Sequence, residues 1–86
     1  MLIIWDEPKR QANLEKHGLD FEDLTPTFFL GATIKPAKVG RFQAIGRLAD
    51  GTLSVIFATL GTEALSIISM RPASDKERSL FNAQKT

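Results

Sequence analysis

One histidine, no cysteine and eleven lysines and arginines are what this chain offers to chemistry. The missing thiols rule out a cysteine nucleophile, a thiolate metal site and a disulfide scaffold. Carboxylates crowd together only at Asp20, Glu22 and Asp23. The positive end of a helix dipole accounts for them there, so no metal or other cofactor is expected. Neither Gly40 nor Gly46 opens a helix with the lysine that a phosphate-binding loop needs, which argues against nucleotide-dependent chemistry. Ser54, Ser66 and Ser69 have no partner at a recognisable catalytic spacing and read as the polar complement of strand faces.

Arginine, lysine and one imidazole remain, and such a set can cleave RNA without a metal. The substrate's own 2′-hydroxyl attacks the adjacent phosphate, a general base takes its proton, and arginines stabilise the added negative charge. The planar guanidinium suits this because it holds two phosphate oxygens at once. Arg41 and Arg47 fall on one expected strand and Arg71 closes another, so a meander can bring them to one sheet face. Lys35 and Lys38 precede them and, with Arg47, are the expected contacts to an RNA backbone. His17 has two readings. At the end of a helix an imidazolium would meet the negative dipole end and suit a general acid or a phosphate ligand. The alternative, which the absence of a visible partner favours, is a histidine that bonds the helix end and fills space beside Gly18.

These residues need elements to hold them. Residues 2–5 form a short apolar run that reads as a strand, with Trp5 as a core anchor. Asp6-Glu7-Pro8 looks like a helix start in which Asp6 caps free N–H groups. That helix runs to His17 and stops at Gly18, and it must be largely exposed or else bury Asn13 and His17. A second helix is expected from Asp20 to Phe28-Phe29, with a kink or a late first turn at Pro26, and with Phe21, Leu24, Phe28 and Phe29 in the core. Strands follow at 32–38, with Pro36 marking an edge, then at 40–48, 53–59 and 64–70. Asp50-Gly51 reads as a tight hairpin turn and Gly61-Thr62 as another. Ser74-Asp75-Lys76-Glu77 is a capping-box pattern for a last helix over 75–84 that buries Leu80 and Phe81. The order implies an α+β fold with helices against an antiparallel meander.

With 86 residues and 43% apolar content, the chain is sized for a single domain spanning 1–86. The apolar start breaks off at Asp6-Glu7, far short of a spanning helix or an export signal, which points to the cytoplasm and away from membranes. The net charge of +1 hides an asymmetry, with residues 1–30 at −3 and residues 31–86 at +4. Such a split suits an anionic partner for one face. On charge alone, mutual attraction of the two halves is the favoured explanation.

Trp5-Asp6, Lys9, Asn13, Lys16-His17-Gly18 and Phe21-Glu22 reproduce the pattern W-D-x-x-K-x-x-x-N-x-x-K-H-G-x-x-F-E. Arg41-Phe42, Ile45-Gly46, Gly51 and Leu53 follow R-F-x-x-I-G and G-x-L. Ile67-Ile68-Ser69-Met70-Arg71-Pro72-Ala73 follows I-I-S-A-R-x-A, with Glu77-Arg78 opening the final helix. From about Ile3 to Phe81 the chain resembles the BrnT family, the toxin half of a type II toxin–antitoxin pair. The resemblance implies a RelE-like fold and a metal-independent endoribonuclease that inhibits translation. It also implies a BrnA-type antitoxin that blocks the toxin, the pair meeting operator DNA only as a complex. Arg41 and Arg71 match family arginines and His17 the family histidine, making these the expected catalytic residues. Gly61 and Ser66 stand where family members commonly carry arginine. Their loss makes a catalytically degenerate homologue, acting as a binding module beside an antitoxin-like partner, the alternative reading.

Overall fold

A computed structural model describes residues 1–49 and 51–84. The expected α+β architecture is what it contains. Strand β1 (Leu2–Trp5) and helix α1 (Glu7–His17) lead to a 3-10 turn (Phe21–Asp23) and a short helix α2 (Pro26–Leu30). Strands β2 (Thr33–Pro36), β3 (Phe42–Leu48), β4 (Gly51–Leu60) and β5 (Ala64–Pro72) then form a meander, closed by helix α3 (Asp75–Gln84). The sheet order is β1-β5-β4-β3-β2. All neighbours are antiparallel except β1, which runs parallel to β5 and pairs Leu2 with Ala64 through Trp5 with Ile67. Pro36 lies on the edge strand β2, where its missing N–H costs no ladder bond.

Strand alternation divides the sheet into two faces. Phe42, Ala44, Leu53, Val55, Phe57, Ile67 and Met70 face the main core, against Phe21, Leu24, Phe28 and Phe29. Aromatic rings knit that core edge to face: Phe28 with Phe29 at 5.1 Å, Phe29 with Phe57 at 5.4 Å, and Trp5 with Phe21 at 6.4 Å. At Gly46 the α2 segment packs closely on β3, since a Cβ there would lie 3.1 Å from the Ala32 side chain and 3.2 Å from the Phe28 ring, so these neighbours would have to shift. On the opposite face, α3 buries Phe81 against Ile45 and Ala73.

Several local expectations need correction. The helix expected from Asp20 to Phe29 is broken, because Thr25 caps a new start by accepting from the Phe28 N–H and Pro26 takes the first helical position. The front piece is only a 3-10 turn, capped by Asp20 on the Glu22 N–H. Asp6 precedes α1 but makes no side-chain cap. Arg41 lies just before β3 rather than on it. In α3 Phe81 is buried, whereas Leu80 is 36% exposed. The hairpin expected at Asp50-Gly51 falls partly on Asp50, outside the described residues. Beside it Ala49 takes a positive φ of 54°, and Gly51 is already the first residue of β4.

Asn13 explains how the thinly apolar α1 is held. β1 ends opposite Ile67, so the outward backbone groups of Met70 have no strand to bond. The buried Asn13 amide takes that place, donating to the Met70 carbonyl at 2.9 Å and accepting from the Met70 N–H at 3.0 Å. Its second N–H reaches the Leu19 carbonyl at 3.2 Å, fixing the chain just past the helix. Gly18, at φ 69°, closes α1 by bonding its N–H to Leu14.

Candidate active site

Sheet register builds a polar face under α3. One cross-strand row reads Lys35, Gln43, Ile56 and Ser69, and the next reads Thr33, Ile45, Ser54 and Arg71. At the end of the first row β5 bulges: Ile56 opposes Ser69 but Phe57 opposes Ile67. Ile68 is therefore the extra residue, and it turns toward the same side as Ser69. A hollow of about 590 Å³ opens over this region, lined in part by Lys38, Arg41, Gln43, Ile68, Arg71 and Glu77.

Arg71 is held in a two-pronged ion pair, its Nη1 and Nη2 donating to the two Glu77 oxygens at 2.8 Å each. Glu77 also accepts from the Gln43 amide at 2.7 Å and the Ser74 N–H at 2.9 Å. The Glu77 N–H returns to Ser74 Oγ, completing the expected capping box. Gln43 in turn donates to the buried Ser54 hydroxyl at 2.8 Å. The Arg71 guanidinium, then the Ser74 N–H and Gln43, hold the Glu77 carboxyl down to about 2, while partial burial pulls the other way. Such a carboxylate binds its proton too weakly to serve as a general base at neutral pH. Its part is to orient Arg71, whose side chain keeps 41% of its surface in solvent.

The depressed Glu77 carboxyl ties stability to pH. A folded-state value below the unfolded one stabilises the fold above the ordinary carboxylate range, and that stability is lost as pH falls from about 5 toward 2. Allowing for the exposure of Arg71, Glu77→Gln is expected to cost roughly 2 kcal/mol at pH 7, while glutamine keeps the capping bond. Urea unfolding of both proteins at pH 7 and pH 2.5 checks this. The difference between them should be large at pH 7 and fall to roughly a quarter of that at pH 2.5, and an equal difference at both would remove the linkage.

Not all the expected site residues come together. Arg41, Lys38 and Arg71 share the hollow. His17 is half-buried at the end of α1 and lines an adjoining hollow, which meets the first at Ile68 and Ser69. Lys35 lies on the far side of Glu77, beside Ser74 and Lys76. Arg47 is exposed farther along β3 and lines none of these three hollows. Neither do Gly61, in the β4–β5 turn, nor Ser66, paired with Ile4 and Ala58.

Sequence reasoning missed Glu77 as the partner of Arg71, because the capping box already accounted for its carboxylate. It also missed Arg10. That guanidinium collects Asp20 at 2.7 Å, Glu7 at 2.7 Å and Glu22 at 2.7 Å, and hydrogen bonding to Arg10 leads the causes that hold Asp20 down to about 2. Three of the six acids of the front, Glu7, Asp20 and Glu22, are thus paired within it. The other ion pairs, Arg71 with Glu77 and Arg78 with Asp75, lie within the second half. Among the described residues no ion pair joins the two halves.

The family model described as the ribonuclease toxin BrnT of a type II toxin–antitoxin system matches residues 5–77. Among solved structures, the crystal structure of the Brucella abortus ribonuclease toxin BrnT is 56% identical, with a TM-score of 0.83 over 87% of this chain and 99% of that one. No curated protein matches. Sequence blocks and topology thus agree, and the chain belongs to the BrnT family of ribonuclease toxins of type II toxin–antitoxin systems.

Proposed function

We propose that the hollow between Arg41 and Arg71 is where this chain cuts RNA, without a metal, to inhibit translation. What carries the reading is the unequal use of its cations. Arg71 is braced by Glu77, while the side chains of Arg41 and Lys38, on the same hollow, have no hydrogen bond or ion pair among the described residues. A braced guanidinium supplies fixed geometry and free cations supply attraction. A phosphodiester gaining negative charge in its transition state needs both. Attack of the 2′-hydroxyl on the adjacent phosphorus would break the bond to the 5′-oxygen, leaving a 2′,3′-cyclic phosphate and a 5′-hydroxyl. Arg41 and Arg71 would hold the non-bridging oxygens, and His17, which lines the adjoining hollow, would move a proton.

As a type II toxin the chain implies an antitoxin, and we take this to be BrnA-type, with operator DNA bound only through the complex and the pair acting in the cytoplasm. No helix among the described residues is long and apolar enough to cross a bilayer. The neutralisation of Arg71 by Glu77 favours, as a second reading, a homologue that binds its partner without cutting RNA. Purified protein incubated with RNA in EDTA distinguishes the two. The nuclease reading expects undiminished cleavage leaving cyclic phosphate ends. Cleavage abolished by EDTA would overturn metal independence, and intact RNA at micromolar protein would leave the binding module.

A further inference from the structure

Helix α1 aligns Lys9, Lys16 and His17 on one side, spaced at i, i+7 and i+8, over Ile68 and Ser69 of β5. The side chains of Lys9 and Lys16 make no hydrogen bond or ion pair among the described residues. No acidic side chain lines their hollow, and the acidic Glu7 and Glu15 project from other sides of the helix. Both lysines are exposed, and seven residues apart they lie two turns from each other on the same side of the helix. Their hollow adjoins the one holding Arg41 and Arg71, the two sharing Ile68 and Ser69 at the bulge as lining residues. Among the described residues that line the two hollows the only carboxylate is Glu77, already bound to Arg71.

We infer that the α1 hollow is a second phosphate subsite. It would hold the backbone of the same single RNA strand away from the phosphate at Arg41 and Arg71, with the strand crossing β5 at the bulge. The protein then recognises a stretch of strand rather than one linkage. This rests on the ribonuclease reading for the first phosphate, and Lys9 and Lys16 are its charge contacts. Lysine suits such a distal contact because it acts as a mobile point charge, whereas the forked arginines fix the reacting group.

The test is binding of 2′-O-methyl oligoribonucleotides, which cannot be cut, as a dinucleotide and a hexanucleotide. Wild type is compared with a Lys9→Ala/Lys16→Ala variant whose melting temperature has been checked. The wild type should hold the hexanucleotide more tightly than the dinucleotide. The variant should lose about tenfold on the hexanucleotide and less than twofold on the dinucleotide, and its salt slope for the hexanucleotide should fall by about 1.4, two contacts of a single strand. Unchanged hexanucleotide binding, or equal weakening at both lengths, would overturn the subsite. Cleavage of unmodified hexanucleotide by wild type is read in parallel. If it fails while the length advantage and its loss persist, only the catalytic reading falls; if wild type binds neither oligomer, both fall.

Discussion

Arg71→Ala is expected to slow RNA cleavage by about 100- to 1000-fold, the usual cost of removing a preorganised donor from a site that stabilises developing negative charge. The same substitution should relieve growth arrest when the chain is induced without its antitoxin. The size of the effect follows from the bracing: two bonds of 2.8 Å to Glu77 set the guanidinium plane before substrate arrives. The confounding outcome is misfolding, since the variant leaves Glu77 with only Gln43 and the Ser74 N–H. A double variant, Arg71→Ala/Glu77→Gln, removes the stranded charge and should recover stability without recovering cleavage. Arg71→Lys keeps the charge but not the fork, and should fall well short of wild type. A folded Arg71→Ala protein that cuts RNA at the wild-type rate would end the assignment.

The largest effect on stability is expected from Asn13→Ala. It strands the Met70 N–H and carbonyl in a buried place and frees the Leu19 carbonyl. Buried, unsatisfied groups cost about 1–3 kcal/mol each, so a loss of roughly 3 kcal/mol is expected. In a chain of this size that lowers the melting temperature by roughly 10–20 °C. Asn13→Asp should not rescue it, because a carboxylate can accept from Met70 but cannot donate to either carbonyl. Differential scanning calorimetry checks both variants, and a melting temperature for Asn13→Ala within about 3 °C of wild type would show that the amide does not hold α1 to the sheet.

Features written in neighbouring residues were legible. The αL stop at Gly18, the capping box of Ser74 and Glu77, and the aromatic core from Phe21 to Phe29 are local patterns, and the structure contains them. The break in the expected second helix was legible too. Thr25-Pro26 is an N-cap followed by proline at the first helical position, the start signal of a late first turn. What could not be read is what depends on distant pairing. Asn13 and Met70 are 57 residues apart, and nothing in either segment announces the other. The bulge that turns Ile68 toward the groove is a matter of count between two strands. Glu77 illustrates a third kind of concealment, a side chain with an obvious local role that also holds a distant arginine. Among the candidate site residues, Arg41 and Arg71 could be expected on one face from the meander. The separation of Arg47 from them depends on how α3 and the strand ends partition that face.

The parallel pairing of β1 with β5 bears on when the molecule becomes dangerous to the cell that makes it. Synthesis delivers the first strand early, but its partner residues, Ala64 to Ile67, emerge only after the whole of β4, and the Met70 edge that receives Asn13 comes later still. Arg71 and its brace Glu77 follow. The non-local contacts that close the sheet therefore form last, and the groove has no geometry before then. A nascent chain that has not yet reached Glu77 carries neither the oriented guanidinium nor the closed sheet that presents it.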